Sequence, residues 1–251
     1  MNDMDKYRKL IENSKITVLT GAGISTASGL PDFRSETGLF NLAPETILSR
    51  EFFFDYPDVF YDFFEKYLYV PEAQPNDAHK ILAKWEKLGV VDYVITQNID
   101  GFHQGAGSEK VIEYHGTMAT ATCNNPKCRK QYTVEELLNR KSMKDKFWEC
   151  DCGPSSTRRY IKPDIVLYNE TGKWMQGDHA KKVYDIVNEA ELLLVLGTSL
   201  RVYPFSFFIN YRNPNAKVLI INKGDTTYDN DPSILKIEED IGIALKKIDP
   251  F

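Results

Sequence analysis

Leu19-Thr20-Gly21-Ala22-Gly23-Ile24-Ser25-Thr26-Ala27-Ser28-Gly29-Leu30-Pro31-Asp32-Phe33-Arg34-Ser35 is the stretch on which the fold turns. Ile16 to Leu19 before it is a short aliphatic and β-branched run, the pattern of a buried strand. Gly21-x-Gly23 after it is a turn that lets backbone come close to a phosphate. A third glycine of the dinucleotide fingerprint would stand at position 26, where this chain has Thr26, and no acidic residue follows a second strand at the distance that suits a ribose. On the residues alone the segment is either a tight turn or a phosphate loop. Pro31-Asp32-Phe33-Arg34 favours the second reading, because a ring face and a guanidinium just beyond the loop can meet a ribose and a phosphate.

Around this loop the chain has 251 residues, 42% hydrophobic and 27% charged, enough for one large α/β core and a modest insertion. A net charge of -5 gives no long-range attraction to nucleic acid or to an anionic membrane, so direct nucleic-acid binding is not expected. Met1 to Lys9 alternates acidic and basic side chains, and no later run approaches membrane-spanning length. A cytoplasmic protein without a membrane partner is the expectation. In that reducing setting four cysteines point to metal or redox chemistry before disulfides.

Strand and helix signals alternate through most of the sequence, which predicts an α/β fold with a doubly wound, mostly parallel sheet. A charged surface helix over 3–13 leads into the strand at 15–20. Residues 36–50, with Gly38 and Pro44, read as an irregular loop that orders when a ligand binds. Residues 51–70 are dense in aromatic side chains, divided into two helices at Pro57; they read as core, or as an apolar wall for a ligand. Asn76 or Asp77 caps a helix that runs to Leu88 and stops at Gly89, with His79 read as a surface or capping residue. Strands follow at 90–96, 111–115, 192–196, 216–221 and 234–237, with an amphipathic helix at 179–190 and a closing helix at the end. Leu192 to Leu196 lacks alternation, as a strand covered on both faces does. One domain, 1–251, is expected, with a large part at about 1–35, 90–117 and 161–251. The small part would comprise helices at 36–89 and an insertion at 118–160.

Several residues stand at strand ends, where open α/β sheets place ligands. Gln97-Asn98-Ile99-Asp100 follows one strand; its Asn and Asp are turn and cap residues on one reading and ligand contacts on the other. His115 ends another, next to Gly116, and an imidazole with an ordinary pKa near 6.5 suits a general base. Gly197-Thr198-Ser199 after the most apolar strand can hold a phosphate through N–H groups and hydroxyls. Cys123-x4-Cys128 and Cys150-x-Cys152 are two close pairs in a segment with little core of its own, which predicts one tetrahedral, structural zinc.

Taken together, Gly21 to Ser35, Thr96 to Asp100, Tyr114-His115-Gly116, the paired cysteines and Gly197 to Leu200 resemble the sirtuins, the NAD-dependent protein deacylases, from the first strand to Asn222. The resemblance implies a Rossmann-like large domain with a smaller zinc-binding and helical part. It implies cofactor contacts from Gly21, Ala22, Gly23, Ser25, Phe33, Arg34, Gln97, Asn98, Ile99, Asp100, Gly197, Thr198, Ser199, Asn222 and Lys223. Phe33 would shield the site from free nicotinamide, Asn98 would hold the ribose and a water and so act catalytically, and Asp100 would accept from the carboxamide. Val166, Leu167, Tyr168 and Val202 would flank an acyl-lysine peptide paired strand to strand. Here Tyr168-Asn169 replaces the more frequent Phe-Gly, Phe102 replaces a Leu, and the second cysteine pair is narrower than the usual Cys-x-x-Cys.

The implied reaction consumes NAD. The acyl oxygen attacks the ribose carbon as nicotinamide leaves, His115 takes a proton from a ribose hydroxyl so that its oxygen attacks the imidate carbon, and water then releases free lysine and acyl-ADP-ribose. Neither Phe63 with Lys66 nor Tyr61 with Phe64 reproduces the Tyr-x-x-Arg pair of family members that prefer succinyl or malonyl groups, so a neutral acyl group is expected. Two other classes use the same residues: an NAD-dependent protein mono-ADP-ribosyltransferase, and a non-catalytic acyl-lysine binding module.

Overall fold

Unbroken runs such as Ile16–Thr20 and Leu192–Leu196, in which every residue is buried, form the centre of a six-stranded sheet. The computed structural model describes residues 3–32, 43–141, 148–153 and 159–251. In chain order the elements begin with α1 (Asp3–Glu12), β1 (Ile16–Thr20), α2 (Pro44–Ile47), α3 (Arg50–Asp55), α4 (Pro57–Phe63), α5 (Asp77–Lys87), β2 (Val91–Thr96) and α6 (Phe102–Gly105). They continue with β3 (Val111–Glu113), β4 (Gly116–Cys123), β5 (Gln131–Thr133), α7 (Val134–Lys141) and β6 (Ile161–Ile165). The last are α8 (Gly177–Glu189), β7 (Leu192–Leu196), β8 (Lys217–Ile221), β9 (Leu235–Ile237) and α9 (Ile241–Ile248).

The sheet order is β3-β2-β1-β7-β8-β9, and every pairing in it is parallel. Side-chain alternation sorts the central strands between two layers. Leu192, Leu194 and Leu196 of β7 pack with Ile11 of α1, Leu82 and Trp85 of α5 and Leu245 of α9. Leu193 and Val195 pack on the opposite face with Val183 and Val187 of α8 and with Phe205 and Phe208. This is the doubly wound arrangement, and it explains why β7 shows no polar alternation: each face meets a helix layer. From β1 the chain builds outward to β2 and β3 and later returns on the other side with β7, so the order reverses between β1 and β7.

The smaller body is a three-stranded antiparallel sheet, β5-β4-β6, fused to the aromatic helices. Phe53, Phe60, Phe64 and Trp148 are buried there, and Tyr61 stacks on Trp148 with ring centroids 4.7 Å apart and planes at 4°. Residues Phe64–Leu68 continue α4 as a π-helical turn. The core reading of the aromatic segment is therefore right for most of its rings, and Tyr56 at 58% exposure is the exception.

Three sequence expectations change. Residues 36–50 are not irregular throughout: Pro44 starts α2 and Ser49 caps α3 by accepting from the Phe52 N–H, while 36–42 lie outside the described residues. The partition moves at two places. Helix α5, expected in the small part, packs in the large core through Ala78, Leu82 and Trp85, and β6, expected in the large part, pairs with β4 in the small sheet. An amphipathic pattern names a buried face but not its partner. The expectation for His79, surface or capping, narrows to capping: it is fully buried, and its Nδ1 completes the cap by accepting from the Asn76 N–H at 3.3 Å.

Candidate functional site

Strand register gathers the candidate loops. Thr20 is paired with Thr96 on one side and Leu196 on the other, Leu196 is paired with Ile221, and Thr96 with Glu113. The next residue in each case is Gly21, Gln97, Gly197, Asn222 or Tyr114, so these lie in one row along the carboxyl edge of the sheet. Strands are spaced by about 4.8 Å, so β2 to β8 spans roughly 14 Å. The reversal between β1 and β7 falls inside this row, the place where α/β sheets leave a ligand crevice.

A cleft of about 1030 Å³ opens above it. Its wall includes Ala22, Gly23, Ser25, Gln97, Asn98, Ile99, Asp100, His115, Gly197, Thr198, Ser199, Asn222 and Lys223, together with Val166, Leu167, Tyr168 and Val202. Gly21 is buried behind the wall rather than on it. Phe33 and Arg34 lie outside the described residues.

The glycines serve loop packing as much as ligand approach. A Cβ on Gly21 would stand 2.7 Å from Thr198 Cβ, one on Gly23 2.8 Å from Gly197 Cα, and one on Gly197, whose φ is +63°, 2.4 Å from the Ile24 nitrogen. Gly23 N–H donates to the Gly197 carbonyl at 2.9 Å, tying the two loops together. Gly21 N–H donates across to the Leu196 carbonyl at the end of β7, and Ile24 and Ser25 donate within the turn to the Gly21 and Ala22 carbonyls.

A polar chain crosses the floor. Asn98 Nδ2 donates to Ser25 Oγ at 3.1 Å, and Ser25 Oγ donates to Asp100 Oδ2 at 2.7 Å. Asp100 Oδ1 also accepts the Phe102 N–H at 3.0 Å, and burial raises its carboxyl pKa above the ordinary value. His115 Nδ1 lies 3.2 Å from the Gln97 carbonyl, an acceptor only, so Nδ1 carries the proton and Nε2 keeps its lone pair. Burial pushes the imidazole pKa down to about 4 against the opposing pull of that carbonyl, so the ring is neutral near pH 7. His103 has a different place: it is buried under the row, its Nε2 3.0 Å from Thr20 Oγ1.

The other wall comes from the small body. Gly116, at φ +81°, lets the His115 corner press on β6, where a Cβ would meet the Asp164 carbonyl at 2.1 Å. Val166 N–H donates to the His115 carbonyl at 2.8 Å. Leu48, Tyr67, Leu68, Met118 and Ile165 complete an apolar lining that the sequence reading did not single out, although it offered the aromatic segment as a wall. Glu239, Asp240 and Ile241 close the far end beside Asn222; the strand and helix they join were expected, but not their reach into the cleft.

Away from the cleft, the four cysteines converge. Cys123 and Cys152 Sγ are 3.6 Å apart, Cys128 and Cys150 Sγ 3.8 Å, and all four lie within 4.8 Å of one another. Four thiolates about 2.3 Å from one zinc would be separated by about 3.8 Å, so the donor set fits a tetrahedral site with no open position. The narrow Cys150-x-Cys152 spacing does not prevent this. Asn125 Nδ2 donates to Cys152 Sγ at 3.4 Å, a contact that supports a thiolate ligand.

The comparisons agree with this geometry. The sequence profile described as the Sir2 family matches residues 21–204. Proteins named NAD-dependent protein deacetylase are similar along their whole length: that of Clostridium tetani is 40% identical over 98% of this chain and 96% of its own. That of Thermotoga maritima is 38% identical over 95% and 94%. Among solved structures, a Sir2 with a p53 peptide and NAD+ superposes with a TM-score of 0.83 at 35% identity, covering 98% of this chain and 97% of that one. A Sir2 bound to a propionylated peptide gives 0.82 at 34%, with the same coverage. A row of loop ends at the sheet's reversal, an imidazole held neutral beside it and a closed four-thiolate cluster thus occur in a chain that belongs to the Sir2 family, the sirtuins.

Proposed function

We propose that this protein is an NAD-dependent protein lysine deacylase, which moves the acyl group of an acyl-lysine to ADP-ribose with release of nicotinamide and free lysine. The observation that carries the reading is the His115 ring. It is neutral, tethered through Nδ1, and shares one cleft with Asn98, Asp100 and the Val166–Tyr168 segment. When bound, NAD supplies an electrophilic ribose carbon, a nicotinamide leaving group and the hydroxyl that receives the acyl group.

The chain's own residues have these roles. His115 Nε2 is the base that takes the proton from the ribose hydroxyl, and the Gln97 carbonyl orients it. Asn98 and Asp100, linked by Ser25, position the ribose and the carboxamide, with Gln97 and Ile99 beside them. Ala22, Gly23, Gly197, Thr198 and Ser199 would hold the phosphates, and the buried Gly21 would support them from behind. Asn222 and Lys223 would hold the adenosine end, and the family resemblance assigns Phe33 to shielding the site from free nicotinamide and Arg34 to holding the cofactor. Val166, Leu167, Tyr168 and Val202 receive the acyl-lysine peptide, and the apolar lining excludes water from its acyl group. Cys123, Cys128, Cys150 and Cys152 hold one structural zinc.

The chain is one catalytic domain whose large part is the parallel sheet with its helices, α5 included, and whose small part is the zinc-binding and aromatic body. No helix among the described residues is long and apolar enough to cross a membrane, and we place the protein in the cytoplasm; cell fractionation tests this. The functional test is nicotinamide release with acetylated and unacetylated forms of one peptide. Release that requires the acetyl group, with acetyl-ADP-ribose formed, is the expected result. Label from NAD left on protein identifies an ADP-ribosyltransferase instead, and binding without turnover identifies a reader.

A further inference from the structure

A polar knot stands at the cleft edge where β6 ends, and its Glu170 is part of the cleft wall. Lys162 Nζ donates to the Ile165 carbonyl at 2.6 Å and to the Pro163 carbonyl at 3.2 Å, and pairs with Glu170 Oε2 at 3.0 Å. That same Glu170 oxygen accepts the Leu167 N–H at 3.0 Å, while the Glu170 N–H closes the turn on the Leu167 carbonyl at 3.0 Å. The two side chains are only 16% and 19% exposed, so this is not a solvent-screened surface pair. Burial holds the Lys162 pKa below the usual lysine value in spite of the carboxylate.

The outer side of the edge is fixed separately. Tyr168 N–H donates to the Leu48 carbonyl at 2.9 Å, and its carbonyl accepts from the Arg50 N–H at 3.0 Å. Asn169, at φ +66°, donates from Nδ2 to Glu51 Oε2 at 2.9 Å. Val166, Leu167 and Tyr168, all on the cleft wall, are thus held between an internal ion pair and an external brace.

We propose that Lys162 and Glu170 are positioning residues for the acyl-peptide: their pair presets the Val166–Tyr168 edge in its binding shape. This rests on the reading of that edge as the peptide-binding one. A segment ordered in advance binds without the entropy loss of being ordered by its ligand, so releasing it weakens peptide affinity and leaves the cofactor row untouched. Truncating Glu170 frees the Leu167 N–H and leaves Lys162 without its counter-charge; removing the Lys162 ammonium leaves the carboxylate unpaired.

The test uses the full chain with an acetyl-lysine peptide and measures kcat, both KM values and zinc content for Glu170→Ala, Glu170→Gln and Lys162→Met. Peptide dissociation constants are measured by calorimetry without turnover. The peptide KM and Kd should rise roughly tenfold in Glu170→Ala and Lys162→Met and less in the near-isosteric Glu170→Gln. The NAD KM and kcat should stay within about twofold. An unchanged peptide Kd, or losses in kcat and NAD KM as large as in peptide KM, overturns the proposal. A wild type that binds acetyl-peptide but does not turn over sinks the deacylase reading alone, since the Kd series still decides the role of the pair.

Discussion

At the residue scale the cleft depends on groups kept out of water. His115, His79 and His103 are all held below the ordinary imidazole pKa by burial, the first two at about 4. His79 Nε2 and His103 Nδ1 have no hydrogen-bond partner among the described residues, which is consistent with rings kept neutral. The unfolded chain protonates these rings near pH 6.5 and the folded one does not, so between pH 6.5 and about 4 the unfolded state binds more protons. Stability is then complete above 6.5 and falls as pH falls, by roughly 1–2 kcal/mol for His115 and for His79 between pH 7 and 5, with His103 acting in the same direction. Urea titrations at the two pH values check this, and His79→Gln, which keeps a capping side chain, should flatten the difference. For His115 the consequence is catalytic: His115→Ala should keep the circular-dichroism spectrum and NAD binding but lower deacylation by about a hundredfold or more. Turnover close to wild type would remove the proposed base.

At the element scale, the loops after β1 and β7 are one unit. Gly197→Ala puts a Cβ 2.4 Å from the Ile24 nitrogen at a φ of +63°, against backbone that cannot swing aside. A loss of roughly 1–3 kcal/mol in thermal or urea unfolding, together with weaker NAD binding by calorimetry, is expected. The zinc-binding element behaves differently, because its strands β4 and β5 carry little apolar surface beyond the shared aromatic cluster. Removing the metal with a chelator should lower the melting temperature and expose Trp148, now 2% exposed and stacked on Tyr61. A red shift of the fluorescence that Trp148→Phe abolishes is the measurement. An unchanged spectrum in protein shown to be metal-free would argue against a structural role.

At the scale of the whole molecule, the cleft lies between a parallel sheet that offers polar loop ends and an aromatic body that offers an apolar lining. Among the described residues, that side of the lining, Leu48, Tyr67, Leu68, Met118 and Ile165, offers no cation, so a second carboxylate on the acyl group is expected to be buried there unpaired. Acetyl- or butyryl-lysine peptides should be favoured over the succinyl form by roughly tenfold or more in kcat/KM. Equal rates would show that a charged acyl group finds a partner. The partition of the chain also belongs to this scale. Helix α5 packs on the sheet through Ala78, Leu82 and Trp85, and Trp85 Nε1 also donates to Asp249 Oδ1 at 2.9 Å.

The succession along the chain of the six parallel strands and of helices α1, α5, α8 and α9, the strand-end positions of Gly21, Asn98, His115, Gly197 and Asn222, and the pairing of four cysteines were legible in the sequence, whereas β4 and β5 were not. Each legible feature is a local pattern: an apolar run, a turn, a spacing. Tertiary structure alone decided that Gly21 supports the cleft from behind, that His79 is buried, and that β6 joins the small sheet. It also decided that Lys162 and Glu170 meet at the cleft edge. Those outcomes depend on register and on which faces pack, and contacts between elements far apart in the chain leave no period or spacing in the residues that make them.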